Sequence, residues 1–279
     1  MELLVCVKQV PDDSVAVTLD ANGAPKVAEI TPVVNAFDTY ALEMAARFKE
    51  ANGGSVTVLS VGGEEVVPSL RSCLAVGADH ASRLSGTAPS DCGGIAYLLA
   101  QAAGKAGEQP FDIIFCGSES TDSADCQVGA RLSEALGLPL VSNVLALEPK
   151  DGGLSVKQET EDGYRMVEVS LPCVVTVVKP DYEPRYPSIK NKMAARKMPI
   201  AELTASDVGA DAAAYGPEAA MVRRRAVAAP AQRQSGVKIK EKVAADAVQK
   251  ALDMMAQQKL IWGGSGNGKA IDPGLSGGL

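Results

Sequence analysis

Short apolar runs stand at Leu3–Val7 and Phe111–Cys116, a β-branched run at Ser55–Ser60 and an extended run at Ala81–Leu84, with helical periodicities between them. Runs of this length without polar alternation belong to strands covered on both faces. Strand, helix and strand in succession need a right-handed crossover, so the rhythm predicts an α/β fold: a doubly wound parallel sheet with helices on both sides. The first helix falls over Phe37–Ala51, with apolar Ala41, Leu42, Ala45 and Phe48, Asn35 or Asp38 as cap, and Asn52-Gly53-Gly54 as stop. Glu64–Val76, with Pro68 in its early turns, Ile95–Lys105 and Gln127–Leu136 supply three more.

The pattern then changes. Leu154–Glu159 and Tyr164–Leu171 alternate about Asp162-Gly163, which predicts an antiparallel hairpin, and Cys173–Val178 reads as a further buried strand. Pro180–Pro187 interrupts regular structure, and Ser188–Lys197 is a short basic helix. Beyond it the chain is Ala-rich and irregular until an amphipathic helix over Ala244–Leu260. Residues 1–190 are therefore expected to form the α/β domain and 191–262 a docking segment and arm, of which 200–262 are too poor in large apolar side chains for a core of their own. Residues 263–279, with repeated glycine, are expected to be a flexible tail.

Composition narrows the functions open to such a chain. Lys and Arg total 27 against 34 Asp and Glu, a net charge of -7 that lacks the positive field needed to bind nucleic acid by counterion release. A single histidine, His80, rules out multi-histidine metal sites. The six cysteines form no C-x-x-C pair, which fits reduced thiols in a cytoplasmic setting. No stretch is apolar over enough residues to span a membrane, and the first residues lack a leader's basic start. Gly263-Gly264-Ser265-Gly266-Asn267-Gly268-Lys269 imitates part of a P-loop, but Ala270 stands where a magnesium-binding hydroxyl belongs.

In a doubly wound sheet, ligands bind beyond the carboxyl ends of strands. Three loops qualify: the one after Val7, the Ser60-Val61-Gly62-Gly63 turn, and Gly117 to Gly129. The third gathers small hydroxyl residues and glycine before a helix start, where free amides and the dipole favour a phosphate. Its Ser and Asp residues would equally suit a solvated loop that caps the helix. Cys6 and Cys116, at strand ends, read as small core residues.

These residues together make the chain resemble the β subunit of electron-transferring flavoprotein from Met1 to about Leu260. Val5-Cys6-Val7-Lys8-Gln9-Val10-Pro11-Asp12 is similar to the family's first strand and turn, and Asn35-Ala36-Phe37-Asp38 with Ala41-Leu42-Glu43 to its first helix. Leu74–Asp79 matches a common run, and Gly117–Gly129 resembles the phosphate-binding loop. Val156–Thr176 resembles the family signature through Glu161-Asp162-Gly163, Val167, Leu171-Pro172, Val174-Val175 and Thr176. Two positions depart from it: Gln158 stands where a basic residue is usual, and Arg165 where Glu or Gln is usual. Glu183–Ile189 is similar to the loop that docks dehydrogenases, and Pro230–Val237 to the arm that wraps the larger subunit.

The resemblance implies a Rossmann-like, adenine-nucleotide-binding domain in a heterodimer whose α subunit holds most of the redox FAD. It implies a second adenine nucleotide here, AMP in simple carriers or FAD in bifurcating ones. Its implied contacts are Cys6, Lys8, Asn35, Asp38, Ser60, Val61, Gly62, Gly117, Asp122, Ser123, Ala124, Gln127, Val128 and Gly129. Lys8–Asp12 and Asp122–Gly129 look like the bifurcating type, whereas Cys92 and Ile95 stand where that type usually has threonines. Ile189 would be the docking anchor, with Lys190, Lys192, Arg196 and Lys197 steering an acidic partner. The implied role is an electron carrier between a flavin dehydrogenase, such as one for acyl-CoA, and a downstream acceptor, with NADH-driven bifurcation if the second nucleotide is FAD. No acid-base constellation is needed, because a flavin does its own chemistry. Universal-stress-type nucleotide-binding proteins and ATP-cleaving adenylating enzymes share the same sheet rhythm.

Overall fold

The computed structural model describes residues 1–87, 89, 91–222, 225–229, 231 and 235–261. Two units emerge, residues 1–229 and 230–279. The first is built on a nine-stranded sheet. Its strands in chain order are β1 (Glu2–Cys6), β4 (Ser55–Val61), β5 (His80–Ser85), β6 (Ile113–Gly117), β7 (Leu140–Lys150), β8 (Gly153–Thr160), β9 (Gly163–Ser170), β10 (Cys173–Val177) and β11 (Ala201–Thr204). A separate antiparallel pair, β2 (Gln9–Pro11) and β3 (Pro32–Val34), sits beside it.

Across the sheet the order is β11-β5-β4-β1-β6-β10-β7-β8-β9. Pairing is parallel from β11 to β7 and antiparallel from β7 to β9. The β1 side chains are buried on both faces, as a continuous apolar run requires. Helices α1 (Ala36–Asn52) and α2 (Val67–Val76) cover one face, where Ala41, Ala45, Phe48 and Leu70 pack on Leu3, Val5, Ile113 and Phe115. Helices α3 (Cys92–Ala106) and α4 (Val128–Leu136) cover the other, where Leu98, Ala102 and Leu132 meet Leu4, Ile114 and Val174. A 3₁₀ turn over Glu64–Val66 leads into α2, so Pro68 falls in the first helical turn, where a missing N–H costs nothing.

The hairpin forms as expected, with Thr160 opposite Gly163 and Gly163 at φ 144°. The two departures from the family signature prove to be cross-strand partners. Gln158 pairs with Arg165, and the Arg165 Nε donates to the Gln158 Oε1 at 2.6 Å.

Two sheet strands have no counterpart in the sequence reading. β7 escapes because it changes partner midway, from parallel β10 to antiparallel β8, with a bulge between Val144 and Ala146 that breaks side-chain alternation. β11 is only four residues long and extends the sheet edge beyond β5, in a stretch read as irregular. Short α5 (Ile189–Ala195) and α6 (Ala212–Tyr215) complete the first unit's helices. In the second unit, α7 (Ala244–Gln257) leaves Val248, Leu252 and Met255 exposed at helical spacing. The Gly263–Lys269 motif and the glycine-rich tail lie outside the described residues, as do Arg223 and Arg224. No helix among the described residues is long and apolar enough to cross a membrane.

Candidate functional site

β1, β4 and β6 are parallel neighbours, so Cys6, Val61 and Gly117 end at the same edge of the sheet. The chain leaves β1 toward α1 on one face and leaves β6 toward α4 on the other. Strands that feed opposite faces leave a crevice between them, the usual ligand position in this architecture.

Asp38, in the first turn of α1, is buried beneath this crevice. Its Oδ2 accepts the main-chain N–H of Lys8 at 2.7 Å and its Oδ1 that of Gly117 at 3.0 Å. One carboxyl therefore ties the end of β6 and the segment after β1 to the same helix. Burial pushes its pKa up to about 7, against the opposing hydrogen bonds from Lys8, Asn35 and Gly117. Gly117 has no room for a side chain, since a Cβ would lie 2.4 Å from Asp38 Oδ1 and 2.7 Å from Phe37 Cβ.

Asn35 occupies the cap position of α1, yet its side chain does not cap it. The expected capping role is overturned because the amide is taken by the loop after β6: Nδ2 donates to the Glu119 carbonyl at 2.8 Å, and Oδ1 accepts from the Thr121 N–H at 3.1 Å. From the opposite wall, Lys8 Nζ reaches Asp122 Oδ1 at 2.6 Å and Ser120 Oγ at 3.2 Å. Burial opposes ionisation of Asp122, but the Lys8 ammonium and Ser120 hydroxyl hold its carboxyl below the ordinary range. Lys8, Asn35, Asp38, Gly117 and Asp122 thus form one hydrogen-bonded set, although their numbers span 114 positions.

The loop itself is tightly turned. Ser123 and Ala124 both donate their N–H to the Ser120 carbonyl. Ala124 (φ 51°) and Cys126 (φ 55°) are left-handed without being glycine, at a cost of roughly 1–2 kcal/mol each. Left-handed residues interleaved in a loop are the backbone pattern that gathers successive N–H groups toward an anion. Gln127 then stands at the start of α4 and offers no side-chain cap. Its Oε1 instead accepts from Arg131 Nε at 3.0 Å. Gly129 lets this helix start lie against β10, since a Cβ there would sit 2.3 Å from Thr176 Cγ2.

Ser60, Val61 and Gly62 stand at the same sheet edge on the other side of β1. Gly62 donates its N–H to the Leu84 carbonyl, and Ser60 is buried. Cys6 and Cys116 are both buried, on adjacent strands. Cys92 opens α3, and its Sγ donates to Asp125 Oδ2 at 3.1 Å. Burial and the facing Asp125 carboxylate push that thiol up to about 11, so it stays protonated.

Other residues at this edge were not among the implied contacts. Asp91 caps α3 by accepting from Gly93 and Gly94 at 2.9 and 3.0 Å, and it also accepts the Met221 N–H at 2.8 Å. An acidic residue directly before a helix start was the available signal. Phe37, Ser118, Asn143, Thr176 and Lys179 line a cavity of about 430 Å³ beside the loop. Part of that wall belongs to β7, where the changing pattern hid it. Ile189, Lys190, Lys192, Arg196 and Lys197 lie together on and after α5, all exposed, and are not joined to the crevice set by any hydrogen bond among the described residues.

Comparison with known proteins agrees with this architecture. The electron transfer flavoprotein domain matches residues 26–208. The electron transfer flavoprotein subunit beta of Megasphaera elsdenii is 35% identical, covering 94% of this chain and 100% of its own length. That of Thermoanaerobacterium thermosaccharolyticum is 37% identical over 85% of this chain and 91% of its own. The caffeyl-CoA reductase-Etf complex subunit CarD of Acetobacterium woodii is 35% identical over 77% and 83%. With a parallel sheet, a crevice at its switch point and relatives matched along nearly their whole length, the chain belongs to the electron transfer flavoprotein family, among its β subunits.

Proposed function

We propose that this β subunit holds an adenine nucleotide, AMP or FAD, at the carboxyl edge of β1, β4 and β6, and passes electrons in a heterodimer with an α subunit. The observation that carries this reading is the set built on Asp38 and Asn35, which fastens the loop from Gly117 to Gln127 in front of a helix start with no side-chain cap. The chain's residues fit a phosphate there. The α4 dipole favours an anion at the helix start, and Gly117 and Gly129, with no room for a Cβ against Asp38, Phe37 and Thr176, let the loop and that helix start pack tightly on α1 and β10. The acidic side chains of the loop are already engaged: Asp122 by Lys8, Asp125 by Cys92 and Glu119 by the Cys126 thiol. A bound flavin would supply the one- and two-electron exchange, and the protein's part is to bind, orient and shield it.

The electron source follows from the exposed segment after β10. Ile189 is 80% exposed at the start of α5, with Lys190, Lys192, Arg196 and Lys197 close by. An apolar anchor ringed by cations suits brief docking to an acidic flavin dehydrogenase. One relative's name places it in a caffeyl-CoA reductase complex, which supports an acyl-CoA-type dehydrogenase as partner. Partner contacts are assigned to the docking segment and arm of residues 191–262, apart from β11, which pairs in this chain's own sheet; the exposed Val248, Leu252 and Met255 stripe of α7 supports this reading.

Extraction of the native heterodimer followed by mass spectrometry tests the central claim. Two FAD per heterodimer would mark the bifurcating type, and one FAD with one AMP the simple carrier. A complex that releases no second adenine nucleotide, or that is colourless and holds ATP, would overturn the reading.

A further inference from the structure

Between Tyr182 and Met198 the chain has few apolar contacts of its own, yet α5 has a defined position. Guanidinium groups hold it at both ends. At the leading end, Arg185 is inserted between Glu43 and Glu50, two carboxylates on one face of α1. Its Nε lies 2.8 Å from Glu43 Oε2, one terminal nitrogen reaches Glu43 Oε1 at 3.2 Å and Glu50 Oε2 at 3.0 Å, and the other bonds Glu50 Oε1. The Arg185 main-chain N–H also donates to Glu43, at 3.1 Å. Glu43 is only 3% exposed and accepts a further bond from Arg47, whose guanidinium stacks 4.0 Å over the Tyr182 ring. At the trailing end, Arg71 of α2 donates to the carbonyls of Ala195, at 2.7 Å, and of Met198.

Between these two clamps Tyr186, Ile189 and Met193 are 95%, 80% and 60% exposed, the last two one helical turn apart. Three solvent-facing apolar side chains gain nothing for the isolated fold, whereas a buried carboxylate with two arginine partners is an expensive way to hold a surface loop. The expense is intelligible if the loop must be rigid before it meets anything. A prearranged anchor loses less conformational freedom on binding, and that saving appears directly as affinity.

We infer that Arg185, aided by Arg71, is a positioning residue that sets the docking helix in its binding geometry in the free protein. This rests on the reading of Ile189 as the anchor. The test uses the α/β heterodimer and a purified acyl-CoA dehydrogenase. Arg185→Gln should raise the KM for the dehydrogenase roughly three- to tenfold and speed amide hydrogen exchange over 186–195, with kcat and nucleotide content unchanged. Arg185→Lys, which keeps one charge but not the fork, should fall between. Glu50→Gln, a milder change that leaves the buried Glu43 pair intact, should show a smaller shift in the same two readouts. Ile189→Ala is the control. If it raises KM while Arg185→Gln and Glu50→Gln leave both exchange and KM at wild-type values, positioning by Arg185 is wrong and docking by Ile189 stands. If Ile189→Ala itself leaves KM unchanged, the docking reading falls and takes this inference with it.

Discussion

Arg165 donates from its Nε to the side-chain oxygen of Gln158, its directly opposed neighbour across the hairpin. The pair closes the inner apolar face formed by Leu154, Val156, Val167 and Val169, and Gln158 Nε2 continues the chain of bonds to the Ser142 carbonyl at 2.7 Å. These are the two positions at which the sequence departs from the signature it resembles, and here they bond to each other. Gln158→Lys alone would place two cations face to face and should destabilise the subunit by about 1–2 kcal/mol. Adding Arg165→Glu should recover most of that loss. Urea unfolding of the two single variants and the double variant measures the coupling, and additive effects would remove it.

Gly129→Ala should cost about 1–3 kcal/mol and loosen nucleotide retention, because the new Cβ meets the Thr176 methyl at 2.3 Å and the start of α4 must withdraw. Thr176→Ser deletes that methyl while keeping the oxygen that accepts the Asn143 N–H at 3.2 Å. The double variant should therefore retain nucleotide better than Gly129→Ala. Equal retention would show that the crowding acts elsewhere.

Asp38 predicts a pH dependence with a definite sign. Its native pKa is raised by burial to about 7, above the value of 3.8 for a free side chain, so the folded protein holds this proton over a range where the unfolded chain has released it. The resulting stability is present at acid pH and is lost as pH rises from about 4 through about 7. Asp38→Asn should flatten this slope, at the cost of setting an NH₂ group against the Lys8 or Gly117 amide. Melting temperatures of both proteins between pH 5 and 8 decide it; parallel curves would contradict the assignment.

Charge around Ile189 should act on rate more than on chemistry. Replacing Lys190 and Lys192 by Gln should slow electron transfer from a flavin dehydrogenase at limiting concentration by several-fold and weaken its dependence on salt. Ile189→Ala should slow it by about tenfold at any ionic strength. Stopped-flow rates at two salt concentrations separate the effects, and an unaltered salt dependence in the lysine variant would argue against steering.

Much of this architecture could be anticipated because strand and helix each leave a short-range imprint. Leu3–Val7 and Phe111–Cys116 announce buried strands, and Ala41, Leu42, Ala45 and Phe48 announce one helix face. The loops after β1, β4 and β6 share one sheet edge because the parallel order dictates it. What could not be read are choices settled only by tertiary contact. Asn35 reads as a helix cap, but the loop 84 positions away takes its side chain instead. β7 hides its alternation by changing partners, and Arg185 gives no sign in sequence that α1 carries two carboxylates to receive it.

Helix α1 carries Asp38 at one end and Glu43 and Glu50 farther along, so a single rod touches both the crevice and the exposed anchor segment. At 1.5 Å per residue, Asp38 and Glu50 are about 18 Å apart along its axis. Inserting one residue between them would rotate one set about 100° away from its partners. The molecule therefore owns a built-in ruler: the separation between foothold and cradle is written in helical turns.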